Sequence, residues 1–375
     1  MPNERMGQIM PNISVLIKPA SGMCNLQCKY CFYHDETKNR EVESYGFMSE
    51  ETLDNVIRKA LDFSDTACSF TYQGGEPFLR GLDFFEKSME LQKKYNTRGV
   101  NILNAIQTNG TCLDENWAKF LKKNNFLTGV SLDGTRFTHD SFRVDGKGEG
   151  SFECVMSGIE LLKKYDVDFN ILTVVNALTA RKITQIYEFY KQNGFTYLQF
   201  IPCLNPIGME KERFPYTLTS KAYGHFLKTL FDLWYNDFKK GITIHIQQFE
   251  EYVKMLLLMP ADVCGMNGVC SCQHAVEADG EVYPCDFYVM DEYKLGNLNE
   301  VSFVEINEKR KEIRFIEESA EMHEDCKGCK YAPICRGGCR RHRTPKNCFC
   351  TSYYDFFEYT IHRLEEIAAF YKNNY

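Results

Sequence analysis

The cysteines of this chain fall into two groups, and the first group constrains everything that follows. Cys24, Cys28 and Cys31 stand in C-N-L-Q-C-K-Y-C, a CxxxCxxC spacing, directly after the apolar run Ile13-Ser14-Val15-Leu16-Ile17. A strand-like run that ends there places three thiolates on one short loop. Three thiolates can hold three irons of a four-iron, four-sulfur (4Fe-4S) cluster and leave the fourth iron without a protein ligand, whereas four cysteines close a cluster that only carries electrons. An open iron invites a ligand that does chemistry. A zinc knuckle is the alternative, although zinc sites mostly use paired CxxC turns and take a fourth ligand.

The rest of the composition narrows the setting. At 375 residues the chain exceeds one average domain and has room for a barrel with an appendage. The net charge of −7 supplies no basic field to recruit nucleic acid. No apolar run approaches the length of a membrane span. The opening MPNERMGQIMPN lacks the apolar core of a signal peptide, so a cytoplasmic location is expected. Seventeen cysteines in a reducing compartment point to metal binding over disulfides.

Strand-like and helix-like segments alternate through the first 205 residues. Strands are expected at 14–18, 69–73, 101–108, 127–132, 168–175 and 197–202, all short, β-branched or aromatic, and bounded by Gly, Asn or Pro. Helices are expected at 50–63, 82–95, 115–124, 152–165 and 181–193. The first carries Leu53, Val56, Ile57, Ala60 and Leu61 at helical spacing, with Ser49 as N-cap. Six such units imply an α/β fold with a parallel sheet and right-handed crossovers. Six is two short of a complete eight-fold barrel, and the pattern alone leaves an open barrel and a doubly wound sheet both possible. Aromatic-rich helices are expected at 221–239 and 249–258.

Ligands of parallel α/β folds sit beyond the carboxyl ends of the strands. The triple-cysteine loop follows the first strand, Gln73-Gly74-Gly75-Glu76-Pro77 the second, Asn109-Gly110 the third and Asp133-Gly134 the fourth. Read alone, Gly-Gly-Glu-Pro is a tight turn. Beyond Pro260 the composition shifts, with ten cysteines between Cys264 and Cys350, which divides the chain into expected domains 1–260 and 261–375. Cys270 is followed by G-E-V-Y-P-C, ending at Cys285. Then come Cys326, Cys329, Cys335 and Cys339, spaced CxxCxxxxxCxxxC, and Cys350. With Cys264 that makes eight thiolates, enough for two fully ligated clusters. A zinc ribbon is the structural alternative. Cys68, Cys112, Cys154, Cys203, Cys272 and Cys348 remain, most of them expected to be buried small hydrophobes. The basic run Arg336–Arg343 reads equally as a solvated face, as charge that offsets thiolate-ligated clusters, or as a partner surface.

The CxxxCxxC loop and the GGEP turn resemble those of the radical S-adenosylmethionine (SAM) enzymes, and the C-terminal cysteines resemble their SPASM domain. IKPASGMCNLQCKYCFYH, YQGGEP, QTNGT, SLDG, CGMNGVCSCQ, DGEVYPCDFYV and CRGGCRR together resemble the anaerobic sulfatase-maturating enzymes nearly end to end. The resemblance implies a partial (β/α)6 barrel followed by a SPASM domain with two auxiliary clusters and a C-terminal helix. It implies three 4Fe-4S clusters, held by Cys24, Cys28 and Cys31, by Cys264, Cys270, Cys285 and Cys339, and by Cys326, Cys329, Cys335 and Cys350. SAM contacts are implied at Tyr30, Gly74, Gly75, Ser131, Arg143 and Leu204, with Arg143 suited to pair with the SAM carboxylate.

The implied reaction is oxidation of a cysteine or serine of a sulfatase to Cα-formylglycine. A 5′-deoxyadenosyl radical takes hydrogen from the substrate Cβ, Asp286 accepts the proton, and an auxiliary cluster takes the leftover electron. The implied partners are a sulfatase segment of the C/S-x-P-x-R type and a low-potential donor such as ferredoxin or flavodoxin. The peptide is expected to thread between the barrel mouth and the cysteine-rich domain, with Asp286 across from the strand ends. Two other readings stay open at this point. One is a SPASM maturase forming thioether or carbon–carbon links in a ribosomal peptide. The other is a multi-cluster electron carrier, which would need neither an open iron nor GGEP.

Overall fold

A computed structural model describes residues 12–209 and 212–374. Six parallel strands run in chain order: β1 Ile13–Ile17, β2 Ala67–Tyr72, β3 Asn101–Thr108, β4 Leu127–Ser131, β5 Phe169–Val175 and β6 Tyr197–Pro202. Each lies within two residues of its expected span. Their sequential order has no reversal, and a doubly wound sheet needs one at its switch point. Burial settles the architecture the same way. Along β2 the outward Cys68, Phe70 and Tyr72 are buried, while the alternating Ala67, Ser69 and Thr71 are half-exposed. Leu103, Leu127 and Tyr197 on the same inner face are more than half exposed. Helices therefore cover one face only, as in a barrel wall. The closed eight-stranded form fills its interior with side chains; this one leaves the concave face open.

The helices behave as their residues demand. Helix Glu50–Phe63 matches expectation residue for residue, and the Ser49 side chain accepts from the Thr52 N–H at 3.0 Å. Its Leu53, Val56, Ile57 and Leu61 are buried, and each such side chain contributes about 1.5–3 kcal/mol of transfer free energy. The expected helix at 181–193 is Ile183–Gln192, and a separate short helix, Ala177–Arg181, precedes it. Asn176 and Thr179 close a capping box at the start of the short one. The Lys182 N–H then turns back to the Leu178 and Thr179 carbonyls and breaks the run.

The sheet does not stop at Pro260. β7 (His245–Ile246) extends it beyond β6, and β8 (His274–Val276) pairs parallel with β1 on the other side. β9 (Glu281–Tyr283) and β10 (Gly296–Asn297) follow antiparallel, completing ten strands. The composition shift thus divides the sequence, while the hydrogen-bonded sheet runs through it. The long helix Cys350–Asn374 returns to pack on helices Ser220–Lys239 and Gln247–Leu256. Phe356 stacks on Phe249 with ring centroids 5.7 Å apart, and Arg363 meets Asp232 at 2.7 Å. Among the described residues no helix is long and apolar enough to cross a membrane.

Candidate active site

Cys24, Cys28 and Cys31 cap β1 on one loop and lie close enough that a thiolate at any one raises the others. Burial pushes Cys24 up to about 12 and Cys28 up to about 11, so the bare sulfurs are thiols and need a cation to ionise. Backbone N–H groups of Leu26 and His34 point at the Cys24 and Cys31 sulfurs at 3.4 Å. Such donors suit anionic cluster sulfurs. The GGEP turn lies beneath this loop. Gly75 has φ +52, and a Cβ on it would stand 2.0 Å from the Met23 carbonyl oxygen. Its missing side chain therefore makes room for the loop backbone leading to Cys24. Gly74, at φ +111, is likewise pressed against the Lys18 side chain.

Glu76 of the same turn is wholly buried. Its carboxylate accepts from Thr108 Oγ1 (2.8 Å), the Asn109 N–H (2.7 Å) and the Phe78 N–H (3.2 Å). It ties the end of β2 to the end of β3. Burial pushes it up to about 7, with the three donors pulling the other way.

A second buried carboxylate, Asp133, organises the next strand end. It accepts from the Tyr30 hydroxyl, from Arg143 Nε at 3.0 Å and Nη2 at 3.3 Å, and from the Val174 N–H at 2.9 Å. The Asp133 N–H donates to His139 Nδ1 at 3.2 Å, and His139 Nε2 bonds Ser151 Oγ at 2.9 Å. Burial lowers His139 to about 3, so it is a neutral imidazole. Arg143 was expected to offer its fork to a ligand carboxylate; here two of its nitrogens are already given to Asp133, and its charge also reaches Cys28. Gln107 Nε2 donates to Ser131 Oγ at 3.2 Å, and Leu204 lies half-buried just past β6. Tyr30, Gly74, Gly75, Ser131 and Leu204 thus all sit at or just past the carboxyl ends of strands, with Arg143 drawn in by Asp133.

Asp286 sits closer to the strands than expected. The expectation places it across from the strand ends; instead Lys18, just past β1, donates to its Oδ1, and Gln73, just past β2, donates to Oδ2 at 2.7 Å. The hairpin β8–β9 carries it there, because pairing of β8 with β1 fixes where Cys285 and Asp286 emerge. The Lys18 side chain is 1 % exposed, and its ammonium also lies 3.7 Å from the centroid of the Tyr33 ring. Nearby, Glu36 is buried with neither carboxylate oxygen hydrogen-bonded; burial and then the Asp286 charge push it well above the carboxylate range.

The C-terminal cysteines gather into two sets. Cys264, Cys270, Cys285 and Cys339 couple to one another, as do Cys326, Cys329, Cys335 and Cys350. The second set lines a cavity with Tyr331, Asn347 and Tyr354. Among the described residues no three Cys, His, Asp or Glu converge tightly enough for a single metal ion. The cavity lined by the second set, without a tight single-ion group, fits a cluster. Of the other cysteines only Cys68 and Cys203 are buried. Cys112 is half-buried, and Cys154, Cys272 and Cys348 are exposed, against expectation. Cys154 lies on the outer side of helix Phe152–Lys164, and the other two lie in loops. The basic run is largely internal: Arg343 donates to the carbonyls of Gly268, Ser319, Gly337 and Gly338, and Arg340 to that of Phe315.

Comparison with known proteins joins these observations. Residues 19–190 match the radical SAM superfamily, and residues 264–330 match an iron-sulfur cluster-binding domain. The chain is 49% identical over 366 residues to the cysteine-type anaerobic sulfatase-maturating enzyme of Clostridium perfringens strain 13, covering 96% of this chain and 99% of that one. This chain belongs to the anaerobic sulfatase-maturating enzymes. The serine-type enzyme of Bacteroides thetaiotaomicron is 34% identical, covering 92% and 88%. The solved structure of anSMEcpe with bound AdoMet superposes with a TM-score of 0.93 at 48% identity, covering 96% of each chain. The same protein with AdoMet and Cp18Cys peptide gives 0.92 at 47% identity, covering 96% and 99%. Streptococcus suis SuiB shares the fold alone, with a TM-score of 0.64 at 14% identity. As a member of this family the chain is a radical SAM enzyme that uses SAM and iron-sulfur clusters, which sets aside a simple electron carrier.

Lys18, Gln73, Glu76, Asp133 and Glu36 escaped the sequence reading as site residues. Glu76 and Asp133 stood inside quoted motifs, GGEP and SLDG. An apolar strand closed by a lysine is the one hint at Lys18. Glu36 left no signal.

Proposed function

We propose that this enzyme oxidises a cysteine in a C-x-P-x-R segment of a sulfatase polypeptide to Cα-formylglycine. The observation that carries the reading is Asp286, held by Lys18 and Gln73 at the strand ends between the N-terminal cysteine loop and the first C-terminal cysteine set. Preference for cysteine over serine follows the higher identity to the cysteine-type relative. Cys24, Cys28 and Cys31 would hold the SAM-binding cluster; Cys264, Cys270, Cys285 and Cys339 one auxiliary cluster; and Cys326, Cys329, Cys335 and Cys350 the other. In this reading residues 1–260 generate the radical and residues 261–375 carry the auxiliary clusters, on one shared sheet.

Bound there, SAM and the reduced cluster supply a carbon radical that takes hydrogen from the substrate Cβ. The chain's own residues do the rest. Tyr30, Gly74, Gly75, Ser131, Arg143 and Leu204 line the SAM site, and Asp133 fixes Tyr30 and Arg143 within it. Asp286 takes the substrate thiol proton on Oδ2, the oxygen that Lys18 does not hold; with the second electron given up this leaves a thioaldehyde, which water converts to the aldehyde with loss of hydrogen sulfide. Lys18 holds the other oxygen, and Gln73 fixes the carboxylate's rotamer. Burial removes competing water, so the base meets the substrate sulfur first. The donor of electrons is a ferredoxin or flavodoxin, and the location is cytoplasmic.

The test is anaerobic incubation of the reconstituted enzyme with SAM, reductant and a C-x-P-x-R peptide, read by mass spectrometry. Conversion of the peptide cysteine to the aldehyde supports the reading. 5′-Deoxyadenosine release with an unchanged peptide, or a thioether or carbon–carbon link in it, refutes it.

A further inference from the structure

Helix Phe303–Glu312 turns Phe303, Ile306 and Arg310 inward. The first two are ordinary core residues; the third places a guanidinium where the pattern calls for an apolar side chain. Arg310 is 3% exposed. Its neighbours Lys309 and Lys311 each have a carboxylate, Glu312 and Glu308. Arg310 has none among the described residues. Nη1 meets the Cys272 sulfur at 2.6 Å, Nη2 the Gln273 carbonyl, and Nε has no acceptor. A buried cation without a counter-anion is strongly unfavourable, so a fold that keeps one supplies the anion elsewhere. The available negative charge is the first C-terminal cysteine set. After burial and the Cys272 sulfur that it touches, a Cys285 thiolate is the next influence on Arg310. The Gln273 residue gripped by Arg310 through its carbonyl reaches Cys264 Sγ with its side-chain amide at 3.8 Å.

We propose that Arg310 is the buried counter-charge of the auxiliary cluster bound by Cys264, Cys270, Cys285 and Cys339, and that it raises that cluster's reduction potential. The inference rests on the ligand assignment given under the proposed function. A cluster held by four thiolates is anionic, and reduction adds one more negative charge. A cation fixed beside it in a low-dielectric interior favours the reduced form. The cluster beside Asp286 then becomes the better acceptor of the electron that substrate oxidation releases. Arg310 is a positioning residue in this scheme, since it touches neither substrate nor SAM.

An EPR-monitored redox titration of the reconstituted full chain tests this, with the N-terminal cluster identified by its response to SAM. The ligand assignment is checked first and separately: the parent must hold about twelve irons, four per cluster, and Cys264→Ala with Cys270→Ala must lose one auxiliary signal. In Arg310→Met, one auxiliary wave is expected to fall by at least tenfold in its reduction equilibrium, 59 mV for one electron, while the other stays in place. Arg310→Lys keeps the charge and stays near the parent. If Met loses about four irons and Lys keeps them at the parental potential, the charge requirement is equally supported. Unmoved auxiliary waves in a fully loaded Met variant overturn the proposal. So does loss of iron in both variants, which makes Arg310 a packing residue. A shift in Cys272→Ala as large as that in Arg310→Met also overturns it, because the Cys272 thiolate would then be the partner.

Discussion

Asp286→Asn separates making the radical from using it. Asn is nearly isosteric, keeps an oxygen for the Lys18 ammonium, and can bond Gln73 once the Gln73 amide turns over. The side chain stays in place but can no longer take a proton. A positioned base contributes about 10²–10⁴ in rate, so formylglycine formation should slow by that factor, about 2.7–5.5 kcal/mol on the barrier. SAM cleavage should persist, because none of the implied SAM contacts touches Asp286. A second cost is structural. Lys18 is 1% exposed and loses the carboxylate with which it forms its ion pair among the described residues, which costs about 3–5 kcal/mol of stability. Lys18→Met in the same chain removes the stranded charge. The double variant should therefore melt close to wild type and still make no aldehyde. The assays are anaerobic circular-dichroism melting, 5′-deoxyadenosine by chromatography and aldehyde by mass spectrometry. Wild-type aldehyde yield from either variant refutes the base. Recovery of yield along with stability in the double variant would mean that Asp286 only neutralises Lys18.

Replacing Cys24, Cys28 and Cys31 together with Ala should lower iron from about twelve to about eight per chain and abolish SAM cleavage; iron analysis that shows no loss would move the first site elsewhere. Gly75→Ala drives a Cβ into the Met23 carbonyl at a positive φ, so it should cost the N-terminal cluster and spare the auxiliary irons, read as about four irons lost. His139 titrates near 3 in the folded chain and near 6.5 unfolded, so its stabilisation is complete above pH 6.5 and is lost as pH falls towards 3. His139→Gln should flatten the decline of melting temperature with acid, by up to about 1.4 kcal/mol per pH unit; an unchanged slope would place the titration elsewhere.

The sequence revealed most where chemistry or periodicity repeats. How the C-terminal sulfurs divide came from the family resemblance and not from spacing, whereas β-branched and aromatic runs bounded by Gly, Asn or Pro located all six barrel strands. Open barrel against doubly wound sheet could not be read, because that difference lies in strand order and in which face of β2 is covered, not in any one segment. Pairing of β8 with β1 was invisible for a similar reason: three residues, His274–Val276, carry no strand signal strong enough to name a partner so distant in the chain. Lys18 and Gln73 were hidden by the same fact, since their importance is created by the hairpin that brings Asp286 to them. The short helix Ala177–Arg181 was missed because its signal is a capping box, Asn176 with Thr179, that lies before the 181–193 window in which apolar spacing reads as helix.

The parallel pairing of β1 with β8 also dictates an order of manufacture. Ile13–Ile17 leaves the ribosome long before His274–Val276, and one flank of that apolar strand has no partner until those residues emerge. For most of synthesis the chain therefore carries an open, apolar strand edge, the kind that templates pairing between molecules. A chain cut at Pro260 would keep that edge for good and should precipitate, however intact its first three cysteines. Metal delivery to the N-terminal loop thus has reason to wait for His274–Val276, since that segment closes the strand on which those cysteines stand.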